Sequence, residues 1–554
     1  MKIRFCGAVD SVTGSCHMIS TSRHTVLLDC GMYQGGRELE ARNEAPFPFD
    51  PRDIECVLLS HAHIDHCGRL PLLVKRGFTG PIYCTDATAD LLRIMLPDCA
   101  HIQQQDTERA NRKAMRRGDV PKEPTYTMAD VDKTLRQVRP VLYDQLFPIN
   151  DQMHAVFNEA GHILGSAITE LWTQEDEGTV KLVFTGDIGM PHRPILRDPK
   201  KIKKADVVIM ESTYGDRLHT PNPDSVAELI HIICQTVTRG GNVIIPAFAV
   251  GRTQELIYSL NRFYESSQPP LHDILDSVDV YIDSPMAIST TQVFRRNAQV
   301  FDEETRAYIL SGDNPLDFKN LRFSRTADDS RALNMDERPK VIIAASGMCD
   351  AGRIRHHLKH NLWNEKASVV FVGYQAEGTL GRALLDGAKS VTLFGEKIAV
   401  RAQIHQLAGF SGHADADGLM DWVRGLQQPP RALFLVHGED DAKEALADRI
   451  RREHGYLCQA IRKDTEVEIG AQVRMTHEEL ARDMLGDANV YKAVEKLSAV
   501  RDQLDALLQS GTLEAQASMS TDRLARLQQI ALQMEKDALN LGMTATEKNE
   551  EKPG

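Results

Sequence analysis

The sequence predicts an α/β protein built from two or three domains. Its 554 residues exceed what one hydrophobic core usually organises. Short apolar segments of strand length alternate with helical stretches up to about residue 475, which is typical of α/β folds. Many of these segments are apolar at every position, so we expect strands that are covered on both faces. The clearest predicted strands are 25–28, 57–59, 182–184, 207–210, 243–246, 341–344, 369–372 and 433–436.

Composition and charge exclude several classes of protein. The chain is 42% hydrophobic and 26% charged, as soluble globular proteins are, and it has no apolar stretch of membrane-spanning length. Residues 1–7 lack the apolar core of a signal peptide and predict a first strand, so we expect a cytoplasmic protein without membrane contact. The 10 cysteines include no Cys-x-x-Cys spacing, which indicates reduced thiols. The net charge of −13 argues against nucleic-acid binding by overall charge but leaves a locally basic groove open.

Two segments depart from the alternating pattern. Residues 98–150 are polar and helical without strand signals, and we interpret them as an insertion that borders the functional cleft. In residues 475–554 apolar side chains recur at helical spacing on two segments, which predicts a helical hairpin. We expect this hairpin to pack on the body of the protein or on a second subunit rather than to take part in chemistry, so a homodimer through these helices is one prediction. The charged residues 544–554 predict a disordered end.

The most informative motif is the hexapeptide from His61 to His66. It contains three histidines and one aspartate and directly follows the apolar run 56–59. Neutral imidazoles and a carboxylate are the ligands that borderline cations such as zinc prefer. A solvated polar turn is the alternative, but a chance match of this pattern is on the order of one in a thousand. The motif therefore predicts a metal site at the end of a strand.

Four other strand ends or turns repeat the same format, in which one polar residue stands next to glycine. His162 lies between glycines, and Asp29, Asp187 and His437 each follow an apolar run. Taken singly, each is an ordinary turn, because aspartate and histidine are common there. Together with the hexapeptide they indicate a metal centre assembled from distant parts of the chain.

Residues 1 to about 210 resemble the metallo-β-lactamase fold, a four-layer αββα sandwich. The hexapeptide motif followed by His162, Asp187 and a late His437 matches the ligand series of that fold in order. The resemblance implies two zinc ions, with manganese as an alternative, and it places Asp29 behind the ligands, where it holds their loop in position. The implied ligands are His61, His63 and His162 for one metal, Asp65, His66 and His437 for the other, and Asp187 as the bridge.

The chain also resembles one branch of that fold, the β-CASP nucleases, over residues 1 to about 470. Residues 211–215, 410–415 and 436–439 fit three motifs of the branch. RNA-processing members carry histidine in the third motif, whereas DNA-repair members typically do not, so His437 favours RNA. The resemblance implies a lactamase-like first part at 1–210, an inserted α/β β-CASP domain at 211–400 and a lactamase-like return at 401–474. The helical extension predicted at 475–554 is not part of the family pattern.

The resemblance also implies the roles of the catalytic residues. Hydrolysis of a phosphodiester needs a nucleophile at neutral pH and a proton for the leaving oxygen. His413, in the second motif, is the candidate general acid, and Glu211 is expected to orient it. Asp65 is grouped with them because its loss is expected to abolish cleavage.

Three glycine-rich corners, 248–253, 346–353 and 373–382, follow predicted strands and carry an arginine near the start of a helix. Backbone donors, helix dipoles and arginine attract phosphate at such positions. Ordinary strand-to-helix turns are the alternative. For Tyr374 two alternatives are open: it stacks on a base of the RNA, or it packs in the core or at its rim. The expected RNA-binding residues are Arg252, Ser346, Gly347, Arg353, Tyr374, Arg382 and Ser411.

The sequence thus predicts a metal-dependent ribonuclease that cleaves single-stranded RNA as an endonuclease, a 5′ exonuclease or both. Three alternatives remain: a DNA nuclease of the same branch, a small-molecule ester or thioester hydrolase of the same fold, and a non-catalytic scaffold. The inserted domain and His413 disfavour the small-molecule hydrolase, and His437 disfavours the DNA nuclease. The scaffold is disfavoured because all seven ligand positions are filled.

Overall fold

Two seven-stranded sheets, one six-stranded sheet and one two-stranded sheet organise the part of the chain that the structure describes. The computed structural model describes residues 1–175, 178–219, 225–266, 271–373, 375, 378–407, 410–463 and 465–470. The predicted helical hairpin at 475–554 and Tyr374 lie outside the described residues. In the part of the chain that the structure describes, no helix is both long and apolar enough to cross a membrane.

The strands of the described residues are numbered in chain order. They are β1 Lys2–Phe5, β2 His17–Ser20, β3 Thr25–Leu28, β4 Cys56–Leu58, β5 Ile82–Thr85, β6 Val138–Val141, β7 Phe147–Pro148, β8 Met153–Glu159, β9 Ala167–Glu175, β10 Gly178–Phe184, β11 Val207–Glu211, β12 Val243–Pro246, β13 Val280–Ile282, β14 Leu321–Phe323, β15 Val341–Ala344, β16 Ser368–Phe371, β17 Ser390–Leu393, β18 Glu396–Ala399, β19 Gln403–Gln406, β20 Ala432–Val436, β21 Cys458–Ala460 and β22 Glu466–Glu468.

The α-helices are numbered in the same way. They are α1 Arg37–Ala41, α2 Ile64–Cys67, α3 Leu70–Lys75, α4 Asp86–Arg117, α5 Met128–Gln137, α6 Ser225–Thr238, α7 Arg252–Ser266, α8 Leu271–Asp276, α9 Pro285–Arg296, α10 Glu303–Leu310, α11 Ala327–Met335, α12 Ile354–Asn361, α13 Leu380–Leu385, α14 Ala416–Val423 and α15 Asp440–His454. Short 3₁₀ turns span Pro51–Asp53 and Ala298–Val300.

The two seven-stranded sheets pack face to face. Their strand orders are β22-β1-β2-β3-β4-β5-β6 and β21-β20-β11-β10-β9-β8-β7. Side chains such as Leu58 and Phe184 fill the space between them. The core outside the first sheet includes Leu91 of α4, and the core outside the second includes Leu446 of α15. The layers are therefore helix, sheet, sheet and helix, which confirms the expected four-layer sandwich.

The six-stranded sheet has the order β14-β13-β15-β12-β16-β19, and all of its pairings are parallel. Ile245 and Ile343 belong to the core that includes side chains of α6, α7 and α9. Ile244 and Ile342 belong to the core on the opposite face, with side chains of α12 and α13. Both faces are covered, as the continuous apolar runs predicted, because parallel sheets carry helices on each side.

Every strand predicted from an apolar run overlaps an observed strand. The prediction that residues 98–150 contain no strand was wrong. The helices α4 and α5 confirm the helical character of this stretch, whereas β6 and β7 are strands that the sequence did not predict. Both lie at sheet edges, and Pro140 lies within β6. An edge strand tolerates proline and polar side chains because one of its sides needs no partner, so it lacks the apolar signature of a central strand.

Candidate metal centre and active site

The ends of parallel strands from both seven-stranded sheets converge on one site. Asp29 follows β3 and His61 lies just beyond β4, and these two strands are parallel neighbours. Asp187 follows β10 and His437 follows β20, and β10, β11 and β20 run parallel as well. His162 lies in the turn between β8 and β9. Parallel strands deliver their carboxyl ends to the same edge, which is why residues far apart in sequence meet here.

The first group of ligand atoms comes from three histidines and one aspartate. His63 Nδ1 lies 3.1 Å from the Nε2 atoms of both His61 and His162. Both Nε2 atoms lie 3.5 Å from Asp187 Oδ2. All four ligand atoms lie within 4.8 Å of one another. Three nitrogens and a carboxylate oxygen at such spacing suit a four-coordinate divalent metal.

The second group consists of Asp65, His66 and His437. His66 Nε2 lies 3.1 Å from His437 Nε2, which in turn lies 3.4 Å from Asp65 Oδ2. Asp187 reaches this group with its other oxygen, since Oδ1 lies 3.3 Å from His66 Nε2. One carboxylate therefore faces both groups, as a bridging ligand does. The structure brings together all seven residues predicted as ligands.

The state of Asp187 tests whether these residues fit a metal. The residue is buried, and its Oδ1 forms no hydrogen bond among the described residues, although the imidazole nitrogens of His66 and His437 lie 3.3 and 3.5 Å from it. A buried carboxylate oxygen without a partner carries a large desolvation penalty. A cation between the two groups removes that penalty, so the donor set fits a metal centre.

Hydrogen bonds fix the orientation of two ligand imidazoles. His66 Nδ1 lies 2.7 Å from Asp29 Oδ2, whose carboxylate also accepts the Ser60 backbone N–H at 2.8 Å and the Ser15 hydroxyl at 2.9 Å. His162 Nδ1 lies 3.0 Å from the carbonyl oxygen of Gly412. A carbonyl or carboxylate oxygen accepts, so each Nδ1 carries the proton and each Nε2 is left as a metal ligand.

Electrostatics keep the first group of histidines neutral. Burial lowers the pKa of His61 and of His162 well below the usual histidine range. Burial also lowers the pKa of His63 to about 4. Neutral imidazoles are the form that binds metal, so no proton has to leave these three ligands near neutral pH.

The second group is surrounded by negative charge. Burial lowers the pKa of His66, but the carboxylates of Asp187, Asp65 and Asp29 outweigh it and raise that pKa well above its usual value. Burial raises the pKa of Asp187, but the charges of His437 and His66 outweigh it and hold that pKa well below its usual range. Three carboxylates beside one imidazole form an environment that favours a cation at this position.

Two backbone features shape the ligand loops. Asp29 has a φ of 59° and His437 a φ of 52°, a left-handed conformation that residues other than glycine seldom adopt. Gly31 supports the close approach of two loops, because a Cβ at this position would lie 1.6 Å from the Asp65 carbonyl oxygen. Strain and close approach at these positions are what place Asp29 and Asp65 against the imidazoles.

The catalytic pair predicted from the sequence lies beside the ligands. His413 Nδ1 lies 3.2 and 3.1 Å from the two carboxylate oxygens of Glu211. Glu211 is buried and also accepts the Ile188 N–H at 2.5 Å and the Thr213 hydroxyl at 2.6 Å. Burial lowers the pKa of His413, but the charges of Glu211 and Asp187 outweigh it and raise that pKa to about 9.

Sequence reasoning missed two residues of this site. Thr213 joins the pair to the metal centre, because its hydroxyl lies 2.6 Å from Glu211 Oε2 and 3.2 Å from His437 Nδ1. Thr213 could have been found from the sequence because it lies inside the motif 211–215. Arg193 donates to the Gly412 carbonyl at 3.0 Å and to Glu255 at 2.6 Å. No local signal marks Arg193, because its partners come from distant parts of the chain.

Arg252, one of the predicted RNA-binding residues, lies inside the protein. Its side chain is 8% exposed and pairs with the carboxylate of Glu255, one turn further along α7. Burial lowers the pKa of Arg252 to about 10. Arg193 reaches the same carboxylate from a distant part of the chain, and contact of Arg252 with phosphate stays a prediction.

The other predicted RNA-binding residues also have partners within the protein. Arg353 pairs with Asp283 at 2.6 Å, and Arg382 pairs with Asp386 at 2.9 Å. The remaining described residues of this set are placed as follows: the Ser346 hydroxyl lies 3.3 Å from the Ala351 carbonyl oxygen, the Ser411 hydroxyl lies 3.5 Å from the His413 carbonyl oxygen, and Gly347 lies against the ring of Phe248.

Comparison with known proteins decides the family. The metallo-β-lactamase superfamily matches residues 9–246, the Beta-Casp domain residues 253–384, and the Zn-dependent metallo-hydrolase RNA specificity domain residues 397–462. Ribonuclease TTHA0252 of Thermus thermophilus is 40% identical over 446 residues, which cover 80% of this chain and 95% of that protein. The chain belongs to the β-CASP branch of the metallo-β-lactamase superfamily.

Other proteins are similar to this β-CASP protein over most of its length. Transcription termination factor FttA of Methanocaldococcus jannaschii is 31% identical over 461 residues, which cover 82% of this chain and 69% of that protein. Among solved structures, a protein of unknown function from Enterococcus faecalis V583 shares 13% identity, with a TM-score of 0.49 over 84% of this chain and 99% of that chain. The family and its ligand groups make this β-CASP protein a metal-dependent hydrolase.

Proposed function

We propose that this protein is a ribonuclease that hydrolyses phosphodiester bonds of single-stranded RNA with two metal ions. The observation that carries the proposal is the pair of ligand groups that share Asp187, with His413 beside them. The match of residues 397–462 to an RNA specificity domain supports RNA as the substrate. Relatives named as a ribonuclease and as a transcription termination factor support the same substrate. Cytoplasmic location and a homodimer through residues 475–554 stay predictions.

The ligand chemistry favours zinc in both positions, with manganese as the alternative. Imidazole nitrogens predominate in the first group and form two of the three ligands that belong to the second group alone. Nitrogen-rich sites suit zinc, whereas manganese prefers oxygen ligands. Bound at these groups, the metals would supply the Lewis acidity that activates water and neutralises charge on the attacked phosphate.

In this proposal His413 donates the proton that the leaving oxygen needs. Its raised pKa keeps the imidazole protonated at neutral pH, and a bound metal would act in the opposite direction and bring that pKa back toward neutrality. Glu211 accepts from His413 Nδ1 and so leaves Nε2 to face the substrate. Thr213 and the Ile188 N–H hold the Glu211 carboxylate in place.

The test uses single-stranded RNA labelled at either end and carrying a 5′ phosphate or a 5′ hydroxyl. Internal cleavage of both forms indicates an endonuclease, whereas release of nucleotides only from the 5′ end indicates an exonuclease. Single-stranded DNA and a thioester are the competing substrates. Faster hydrolysis of either one than of RNA would overturn the proposal.

Two variants separate the proposed roles. Asp65→Ala removes a ligand of the second group and is expected to abolish RNA cleavage and to lower bound metal, measured by elemental analysis. His413→Ala is expected to lower kcat by roughly 10²–10⁴-fold while metal content stays at the wild-type level. Loss of metal from His413→Ala would show that this residue belongs to the ligand set instead.

A further inference from the structure

Phe248 is an exposed aromatic side chain in the corner that joins β12 to α7. Its side chain is 42% exposed, whereas Ala247, Ala249 and Val250 around it are buried. An apolar ring that faces water in an otherwise buried loop loses the free energy that burial would give it. Single exposed apolar side chains are common, so the surroundings of this ring decide whether it contacts a ligand.

Two other glycine-rich corners surround this ring. A Cβ on Gly347 would lie 2.9 Å from two carbons of the Phe248 ring, and a Cβ on Gly373 would lie 4.0 Å from one of them. The ring therefore rests directly on the backbone of Gly347. Gln375 is buried and donates its side-chain amide to the Gly347 carbonyl at 3.0 Å, which holds that corner in place. These corners thus support one face of an aromatic ring.

The loop that carries Phe248 is held rigidly. The Phe248 carbonyl oxygen accepts the Thr253 N–H at 3.3 Å and the Thr253 hydroxyl at 2.8 Å. Gln254 is buried and donates to the Ala249 carbonyl at 3.2 Å. A ring on a fixed loop can be stacked upon with little loss of conformational entropy, which favours binding.

The same loop lies against the metal centre. A Cβ on Gly251 would lie 3.3 Å from Cγ2 of Ile163, the neighbour of the ligand His162. Phe248 is three residues from Gly251, so their Cα atoms are at most about 11 Å apart, and the path through Ile163 puts the His162 Cα at most about 22 Å from the Phe248 Cα. With a rise of about 3.4 Å for each stacked nucleotide, that span corresponds to at most roughly six nucleotides. A strand that runs from the metals along this corner would therefore meet the ring within that length.

We propose that Phe248 is a stacking platform for one base of the RNA strand, a few nucleotides from the cleaved bond. The proposal rests on the proposed ribonuclease function and deepens it. Stacking on an aromatic ring accepts any base, so Phe248 would set the position of the strand rather than its sequence.

Phe248→Leu keeps an apolar side chain and removes the ring, whereas Phe248→Tyr keeps the ring. For a single-stranded RNA cut at a defined position, Phe248→Leu is expected to lower kcat/KM by about 5- to 100-fold, and Phe248→Tyr to stay within about threefold of wild type. Phe394→Leu is the matched control, because Phe394 is 53% exposed in the β17–β18 hairpin, outside these corners. It is expected to leave kcat/KM unchanged.

An abasic scan distinguishes base stacking on Phe248 from a merely structural role of this residue. One abasic nucleotide is placed at each successive position beside the cleavage site, and kcat/KM is measured for wild type and Phe248→Leu. At one position the abasic nucleotide should lower the kcat/KM of the wild type by the same factor by which Phe248→Leu lowers it on intact RNA. At that position the abasic nucleotide should not lower the kcat/KM of Phe248→Leu any further. If it lowers kcat/KM of both proteins by equal factors at every position, the inference is overturned.

The outcomes separate this inference from the proposed function. If the wild type does not cleave RNA, the function itself is wrong. If the wild type cleaves RNA and Phe248→Leu does so equally well, only the stacking role is wrong, and the ring then serves another contact such as a protein partner. Melting temperature and metal content of each variant must match wild type, and Phe248→Tyr keeps the test valid if Phe248→Leu fails to fold.

Discussion

Asp29 shows how a single residue prepares a metal ligand. It accepts the His66 Nδ1 proton and is itself held by Ser60 and Ser15. Its left-handed backbone conformation is one that asparagine also tolerates. The charge of Asp29 can therefore be removed by substitution without a change in the loop.

Asp29→Asn is expected to weaken metal affinity by about 10- to 100-fold, because an amide nitrogen replaces an oxygen that accepts hydrogen bonds from His66 and the two serines. Competition with a chromogenic chelator measures this change. Asp10→Asn is the control, since Asp10 pairs with Arg42 at the surface at 2.8 Å. Equal affinities of the two variants would show that Asp29 does not act on the metal ligands.

His17 is a second informative residue, in the core between the two sheets. Its ring packs edge-on against Phe5 at 5.5 Å and Phe184 at 5.6 Å, and neither ring nitrogen has a partner among the described residues. Burial, with smaller contributions from the charges of His437 and His66, lowers the pKa of His17 to about 3. Between that pKa and the usual value of 6.5 the unfolded chain binds a proton that the folded protein does not.

The stability of the wild type should therefore fall as the pH drops through 6.5 toward 3, and His17→Phe should remove this contribution. We expect His17→Phe to be more stable by about 1–3 kcal/mol at pH 7, with a difference that widens at pH 5. Melting temperatures at the two pH values measure the change. His101→Phe, at an exposed position of α4, is the control. A difference that does not change with pH would contradict the assignment.

At the scale of elements, helix α7 ties the β-CASP segment to the metal centre. Glu255 in its first turn binds Arg193 at 2.6 Å and also pairs with Arg252. Arg193 in turn donates to the Gly412 carbonyl that orients His162. A buried carboxylate between two guanidinium groups therefore links the position of the helix to the orientation of a ligand.

Glu255→Gln should leave the buried guanidinium of Arg252 and the largely buried guanidinium of Arg193 without a counter-charge. We expect a loss of about 3–5 kcal/mol of stability, because breaking a buried pair from one side leaves an uncompensated charge. Thermal unfolding measures this loss of stability. The kcat for RNA cleavage should fall as well, because His162 loses its fixed orientation. Glu304→Gln is the control, since Glu304 pairs with Arg262 at the surface at 3.0 Å and should cost under about 1 kcal/mol. Equal losses in both variants would contradict the network.

At the scale of the whole molecule, the metal centre joins the two halves of the sandwich. Asp65 and His66 follow a strand of the first sheet, whereas Asp187 and His437 follow strands of the second. A ligand that binds only the folded protein stabilises it by RT ln(1 + [L]/Kd), a gain that rises with the logarithm of the free ligand concentration. Metal bound here therefore stabilises the packing of one sheet on the other.

Removal of metal with a strong chelator should lower the melting temperature and abolish cleavage. At a metal concentration of 100 to 1,000 times Kd the loss corresponds to about 2.7–4.1 kcal/mol, and added zinc should restore both properties. Calorimetry measures the shift. His413→Ala should show the same shift, whereas Asp187→Ala should show almost none. A chelated protein with unchanged melting temperature would contradict the metal centre.

Much of the fold and the ligand set follows from the sequence because their signals are local. A central strand is apolar at successive positions, and the hexapeptide from His61 to His66 concentrates four candidate ligands, so both patterns can be read from a few neighbouring residues. The distant ligands His162, Asp187 and His437 were assigned through the resemblance to the metallo-β-lactamase fold. The edge strands β6 and β7 could not be read in this way, since an edge needs neither apolar faces nor a full set of partners.

The sequence, through the family resemblance of its motifs, determined the sandwich, the inserted α/β domain and the candidate metal ligands. Only the tertiary structure decided how distant charges pair and which side chains are buried or exposed. Arg252 is buried at the start of α7, Arg193 gave no local signal, and Phe248 proved to rest on a glycine from another corner. The physical reason is that charge and exposure depend on residues brought close by folding, whereas strand pattern and ligand chemistry belong to the local chain.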